Sequence, residues 1–324
     1  MTERFEKNNA AFQDRRLLTV LRADFLFEDM PAGEAKMCDE NTNRDSKSFV
    51  SGLTRRDFSK FTVSAAAALS FGNAYSAKDI ETVDVYIKTP DGVCDALFAY
   101  PATGVHPAVL VWPDILSLRP AFREMTMRLA RNGFAVLCVN PYYRSSKAPV
   151  VEVGEVFGNA STREKVMPMY RELSVETHNS DAITFVDWLD GQPQTDRNRK
   201  VGTMGYCMGG PIVMRTAAAR PDRSGAACSF HGGGLVTEGS TSPHSLIPRM
   251  KAKFLIAIAE NDHERDPNAK MELQRAFAQH GLEAEIEVYK GAMHGWCVLD
   301  SPVYNEVMAE KAWDRTLDIF STAL

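Results

Sequence analysis

Six cysteines and seven histidines are spread through this 324-residue chain, and one of the cysteines stands where a thiol could act as a nucleophile. The run Val201-Gly202-Thr203-Met204-Gly205-Tyr206-Cys207-Met208-Gly209-Gly210 begins as a strand pattern and passes at once into a helix pattern. A Gly-x-nucleophile-x-Gly turn between strand and helix lifts the central side chain above the sheet edge. Gly205 and Gly209 leave room for the two backbones to approach closely. The sulfur then sits at a helix N-terminus, where the dipole favours thiolate. The competing reading is a Gly-rich turn around a buried structural cysteine. Cys138, within Phe134–Val139, and Cys228, within Ala226–Phe230, read as such small apolar fillers of buried strands.

A nucleophilic thiol needs a base, and the base needs an orienting group. In α/β-hydrolases the chain order is nucleophile, acid, histidine. Two histidines lie well downstream at strand ends, His263 and His294. His294 follows the strand pattern ending at Tyr289 and is the candidate base. Asp262, after the apolar run Phe254–Ala259, is the candidate acid, with His263 its neighbour. A packed loop histidine and a turn-capping aspartate are the plainer alternatives. His231-Gly232-Gly233-Gly234 looks like a glycine-rich oxyanion motif, yet it follows Cys207 instead of preceding it, so it reads as a flexible strand exit. The oxyanion donors are expected from the Met208 amide and from the loop Trp112-Pro113-Asp114-Ile115, with Ile115 the choice. No metal or organic cofactor is implied, because nucleophile, base and donors are all protein groups. The cysteine spacing resembles no zinc site.

The elements that must position these residues alternate from Lys78 onward. Glu81–Lys88 and Asp95–Tyr100 read as strands joined through Pro90-Asp91-Gly92. Ala108–Trp112 and Phe134–Val139 are continuous apolar runs, as expected of strands covered on both faces. Helices are expected over Pro120–Arg131, Val175–Leu189, Gly209–Ala219, Pro267–Gln279 and Tyr304–Thr322, with Ile183, Val186 and Leu189 forming one stripe. Further strands are Lys200–Tyr206, Gly225–Phe230, Phe254–Ala259 and Ala284–Tyr289. From Pro141 to about Glu172 the chain reads as an irregular insertion that could cover a site. The alternation predicts an α/β fold with a mainly parallel sheet flanked by helices on both faces, and with the Gly-x-Cys-x-Gly elbow it resembles an α/β-hydrolase.

Composition narrows the function. The net charge is −5 with no Lys/Arg-rich run, which argues against a nucleic-acid partner. No apolar stretch reaches the ~18 residues of a confident membrane span. Residues 1–50 are polar and charged, and little order is expected there. Thr54-Arg55-Arg56-Asp57-Phe58-Ser59-Lys60, the modestly apolar stretch Ala65–Phe71, and the small residues Ala74, Ser76 and Ala77 resemble a twin-arginine export signal. Residues 1–77 are therefore read as an extension ending in that signal, and 78–324 as one catalytic domain. About fifty residues precede the paired arginines, so Met37 would be a more natural start for such a signal. Export is expected if the signal works, and a cytoplasmic location if it does not.

Gly-Tyr-Cys-Met-Gly-Gly, the later Asn-Asp-His and the final Gly-x-x-His-Gly together resemble the dienelactone hydrolase family over roughly Glu81–Leu324. That family consists of single-domain α/β-hydrolases that open an enol-lactone ring with a Cys, Asp, His triad. The resemblance carries the triad onto Cys207, Asp262 and His294. It places a gating carboxylate at Asp114, one methylene shorter than the family's glutamate, and a substrate-binding arginine at Arg163. A second family arginine corresponds to Val298, which weakens the hold on an anionic lactone. The expected partner is a small-molecule ester or lactone, with its identity, the dienelactone included, left open. Two other readings stay open: a redox-active thiol on the same fold, and a non-catalytic exported binding protein. Whether His294 reaches Cys207 discriminates among them.

Overall fold

The structure is a computed structural model that describes residues 79–324. The N-terminal extension and the twin-arginine segment lie outside the described residues. Eight strands form one sheet: β1 (Ile80–Thr89), β2 (Gly92–Pro101), β3 (Ala108–Trp112), β4 (Ala135–Val139), β5 (Val201–Tyr206), β6 (Ser224–Phe230), β7 (Lys253–Ala259) and β8 (Ala284–Tyr289). Their spatial order is β1-β2-β4-β3-β5-β6-β7-β8. The first hairpin closes around Pro90-Asp91, with Thr89 opposite Gly92. Strand β2 runs antiparallel to both β1 and β4, and every other pairing is parallel.

All residues of β3, β4 and β5 are buried, and in β3 and β4 unbroken apolar runs accompany cover on both sides. Seven α-helices lie among the described residues: α1 (Pro120–Arg131), α2 (Ala160–Arg171), α3 (Val175–Asp190), α4 (Gly209–Ala219), α5 (Glu260–Arg265), α6 (Pro267–Gln279) and α7 (Glu306–Ala323). On one face Phe122 of α1 and Phe320 of α7 join Val109, Val136 and Met204 in a single apolar cluster. Opposite them, Phe185 of α3 meets Trp112 with ring centroids 5.7 Å apart, and Trp188 meets Phe98 at 5.1 Å. Fully burying one such aromatic contributes on the order of 2–3 kcal/mol. None of the helices of the described residues is long and apolar enough to cross a membrane.

Two expectations are corrected. The stretch after Pro141 is not irregular throughout, because α2 occupies Ala160–Arg171 despite Pro168 in its interior. Thr162, Val166 and Tyr170, spaced by four, give it one buried face. In α3 the buried stripe runs through His178, Ala182, Phe185, Val186 and Leu189, whereas Ile183 is exposed. Apolar character alone did not separate Ile183 from its neighbours, and the packing of Phe185 decided which face turned inward. The capping box between Ser174 and Thr177 starts this helix.

The parallel strands deliver their C-terminal ends to one edge of the sheet, at Trp112, Tyr206, Phe230, Ala259 and Tyr289. The turn from β5 into α4 is the tightest of these exits. A Cβ on Gly205 would collide with the Gly209 carbonyl, and one on Gly209 would collide with the Trp112 carbonyl. These neighbours are backbone and cannot rotate away. Gly209→Ala should therefore destabilise the fold by about 1–3 kcal/mol, read as a lower urea midpoint with an unchanged slope. A variant as stable as the parent would show that α4 and β3 can separate at no cost.

Candidate active site

Strand β5 ends at Tyr206, and Cys207 follows with φ of 52°, in the left-handed region that L-residues seldom enter. Three contacts over-determine this conformation. The Cys207 N–H donates to the Phe230 carbonyl at 3.0 Å. It also donates to Nδ1 of His231 at 3.1 Å. The Cys207 carbonyl accepts from Gly210 N–H at 3.0 Å, opening α4. The side chain is thereby set above the sheet edge, at the helix N-terminus.

His294 lies on the loop after β8, and its side chain is hydrogen-bonded to that of Cys207. The same imidazole donates from Nδ1 to Oδ2 of Asp262 at 2.7 Å. That bond fixes the tautomer and leaves Nε2 for the sulfur. Asp262 is carried by the short helix α5, directly after β7, and not by an open loop. Three successive residues of α5 hold the histidine loop. Glu260 accepts from Gly291 N–H at 2.9 Å, Asn261 Oδ1 from His294 N–H at 2.9 Å, and Asp262 from the ring. Burial alone would push the His294 imidazolium down. The Asp262 carboxylate and the Cys207 sulfur together outweigh it and hold His294 well above the ordinary histidine value.

The other described cysteines have no such neighbour. Burial pushes the Cys138 thiol up to about 12, and Cys94, Cys228 and Cys297 also rise through burial. A thiol that stays protonated is a poor nucleophile. His263 sits one residue beyond Asp262 in α5, and Arg265 closes the turn by reaching Asp262 at 3.3 Å.

The amides of Ile115, on the facing loop, and of Met208, beside Cys207 at the elbow, donate to no acceptor among the described residues. Both residues are buried. Tyr142 ties them together: its hydroxyl donates to the Ile115 carbonyl at 2.9 Å and lies 3.3 Å from Sδ of Met208. Asp114, next to Ile115, accepts from Leu116 N–H at 2.9 Å and forms a two-pronged ion pair with Arg119 at 2.7 and 3.0 Å. Arg119 is buried and grips Asp300 as well, with both bonds at 2.8 Å. The donor loop is thus anchored to the chain just beyond His294. Arg163, on α2, donates to the carbonyls of Phe157 and Gly158 and so braces the start of its own helix.

Four participants escaped the sequence: Asn261, Arg119, Tyr142 and His231. His231 requires a correction, because it is not a flexible exit: its ring is buried and bonded to the Cys207 amide. Asn261 had a usable signal, standing beside the candidate acid. Tyr142 and His231 are separated in sequence from what they touch, and Arg119 joins nearby Asp114 to Asp300, 181 residues on. Among the described residues no group of three or more His, Cys, Asp or Glu side chains could hold a metal ion.

Comparison with known proteins places these features in a family. The model of the dienelactone hydrolase family matches residues 94–324. Carboxymethylenebutenolidase 1 of Cupriavidus pinatubonensis is 25% identical over 226 residues, covering 70% of this chain and 90% of that protein. Carboxymethylenebutenolidase of Pseudomonas putida is 24% identical over 242 residues, covering 74% and 96%. Among solved structures, dienelactone hydrolase from Anabaena variabilis superimposes with a TM-score of 0.56 at 18% identity, over 76% of this chain and 99% of that one. A dienelactone hydrolase-like promiscuous phosphotriesterase from metagenomic libraries gives 0.59 at 20%, over 75% and 98%. At such identities the structures establish the α/β-hydrolase fold.

The charge balance at His294 yields a pH test. His294 binds its proton more tightly folded than unfolded, so its imidazolium stabilises the fold fully below the ordinary value of ~6.5. That contribution is lost as pH rises from there through the raised folded value. Asp262→Asn removes the strongest influence holding the proton, leaving the Cys207 sulfur alone to oppose burial. The parent's urea midpoint should fall between pH 6 and 9. The Asn variant's midpoint should fall less over that range. Parallel curves would mean that Asp262 does not govern the proton on His294.

Proposed function

The chain belongs to the dienelactone hydrolase family, and from that premise we propose that it hydrolyses a lactone or activated carboxylic ester through Cys207, His294 and Asp262, by way of a thioester. The observation that carries this reading is the unbroken relay from sulfur to imidazole to carboxylate, placed at the mouth of a strained strand-to-helix turn. Its relatives named carboxymethylenebutenolidase support the substrate class.

His294 Nε2 already carries the proton given up by the Cys207 thiol, and the thiolate attacks the carbonyl carbon. The carbonyl π pair moves onto oxygen, where the Ile115 and Met208 amides donate to it. Losing one such donor typically costs about 3–4 kcal/mol of transition-state stabilisation. The tetrahedral adduct collapses and the C–O bond breaks. His294 returns its proton to the departing enolate or alkoxide. Water then gives a proton to His294 and its oxygen attacks the thioester, and the thiolate leaves. The product is a free acid, and the Cys207 thiolate again faces the His294 imidazolium. Asp262 keeps the imidazole oriented and stabilises its charged form throughout.

Thiolate is a strong nucleophile and also a good leaving group. From the tetrahedral adduct a poor leaving group such as an amide nitrogen loses to sulfur, and the reaction reverts. Aryl esters and enol lactones should therefore be better substrates than the corresponding amides. Cys207→Ala is expected to lower kcat/KM on an aryl acetate or enol lactone by at least ~10³-fold, and His294→Gln by a similar factor. Full activity in the Cys207→Ala variant would overturn the assignment of the nucleophile.

A further inference from the structure

Strands β5 and β6 end side by side, with Tyr206 opposite Phe230. Each is followed by a non-glycine residue in the left-handed region: Cys207 at φ of 52° and His231 at 40°. Such conformations cost energy and persist only where their surroundings impose them. His231 is fixed from behind, since its N–H donates to the Ala257 carbonyl of β7 at 2.8 Å. Its ring turns toward the site, and Nδ1 accepts from the Cys207 amide at 3.1 Å. The ring also meets the His294 imidazole edge-on, with centroids 4.8 Å apart, and Trp296 at 5.2 Å. One imidazole thus touches both halves of the relay.

The protonation state follows from these contacts. An acceptor Nδ1 requires the proton on Nε2, and Nε2 is buried with no partner among the described residues. A second proton would place N–H against N–H at the Cys207 amide, and a positive charge beside the His294 imidazolium. Burial, then the charge on His294, push His231 well below the ordinary histidine range. The ring stays neutral while its neighbour gains and loses a proton.

We propose that His231 is the positioning residue of the nucleophile: through Nδ1 it holds the Cys207 backbone in the left-handed turn, and so keeps the sulfur beside His294. The proposal rests on the thiol–imidazole reading above. It gives the residue a role in turnover, not only in packing.

The test uses the full chain with His231→Phe, which keeps a ring but no acceptor, and His231→Asn, whose Oδ1 can stand where Nδ1 stood. Two rates are read at pH 7: alkylation of Cys207 by iodoacetamide, followed on its own peptide by mass spectrometry, and kcat and KM on an aryl acetate. For His231→Phe about a tenfold loss in the alkylation rate and in kcat is expected, with KM changed less than twofold, and His231→Asn should recover most of it. Should the Phe variant not fold, His231→Gln, whose polar end reaches past the Nδ1 position, takes its place and should be impaired where the Asn variant is not. Parent-like rates in a folded Phe variant, or equal rates in the Asn variant and its partner, would overturn the proposal. A parent protein without ester or lactone turnover would instead defeat the hydrolase reading, and the alkylation rates alone would still decide the role of His231.

Discussion

The site depends on one backbone constraint: Cys207 held in the left-handed region between β5 and α4. Its N–H is shared between the Phe230 carbonyl and His231 Nδ1, both supplied by the neighbouring strand end. The conformation is affordable only because β5 and β6 are in register to their last residues, so that the acceptors arrive where the amide points. Gly205 and Gly209 complete the constraint by letting α4 pass within contact of β5 and β3. A single methyl at either position would separate the layers that bring the helix N-terminus under the sulfur.

Around that point the fold stacks three supports of different kinds. The histidine loop is held by directional hydrogen bonds from consecutive residues of α5, which fix both the backbone and the ring of His294. The donor loop is held by the Asp114–Arg119–Asp300 ion network and by the Tyr142 hydroxyl. A buried arginine with carboxylates on both sides is costly to disturb, because removing one partner leaves charge stranded. The third support is aromatic, with His231, His294 and Trp296 in edge contact. Each support joins elements that are distant in the chain, and this matches the demand that catalytic geometry be held by rigid surroundings.

The electrostatics sort two histidines lying 4.8 Å apart into opposite roles. His294 has a carboxylate and a sulfur within reach and is held in its charged form over an extended pH range. His231 faces an amide donor and another imidazole, and it is kept neutral. Burial acts on both in the same direction. The difference comes from the Asp262 carboxylate, which only one of them touches. A proton entering this cluster therefore has one resting place.

Local patterning by itself determined a great deal. Unbroken apolar runs marked β3 and β4, Gly-x-Cys-x-Gly marked the elbow, and strand ends marked where Asp262 and His294 emerge. These are short-range signals, written in side-chain periodicity and backbone permissiveness. They could not show that α2 folds through Pro168, since a buried face at Thr162, Val166 and Tyr170 exists only once there is something to bury it against. Nor could they find His231, 24 residues from the cysteine it holds, Tyr142, 66 from Met208, or Arg119, 181 from Asp300. Those contacts arise from strand order and register, which no stretch of chain encodes alone. Sequence chose the chemical groups, and the assembled sheet decided which of them meet.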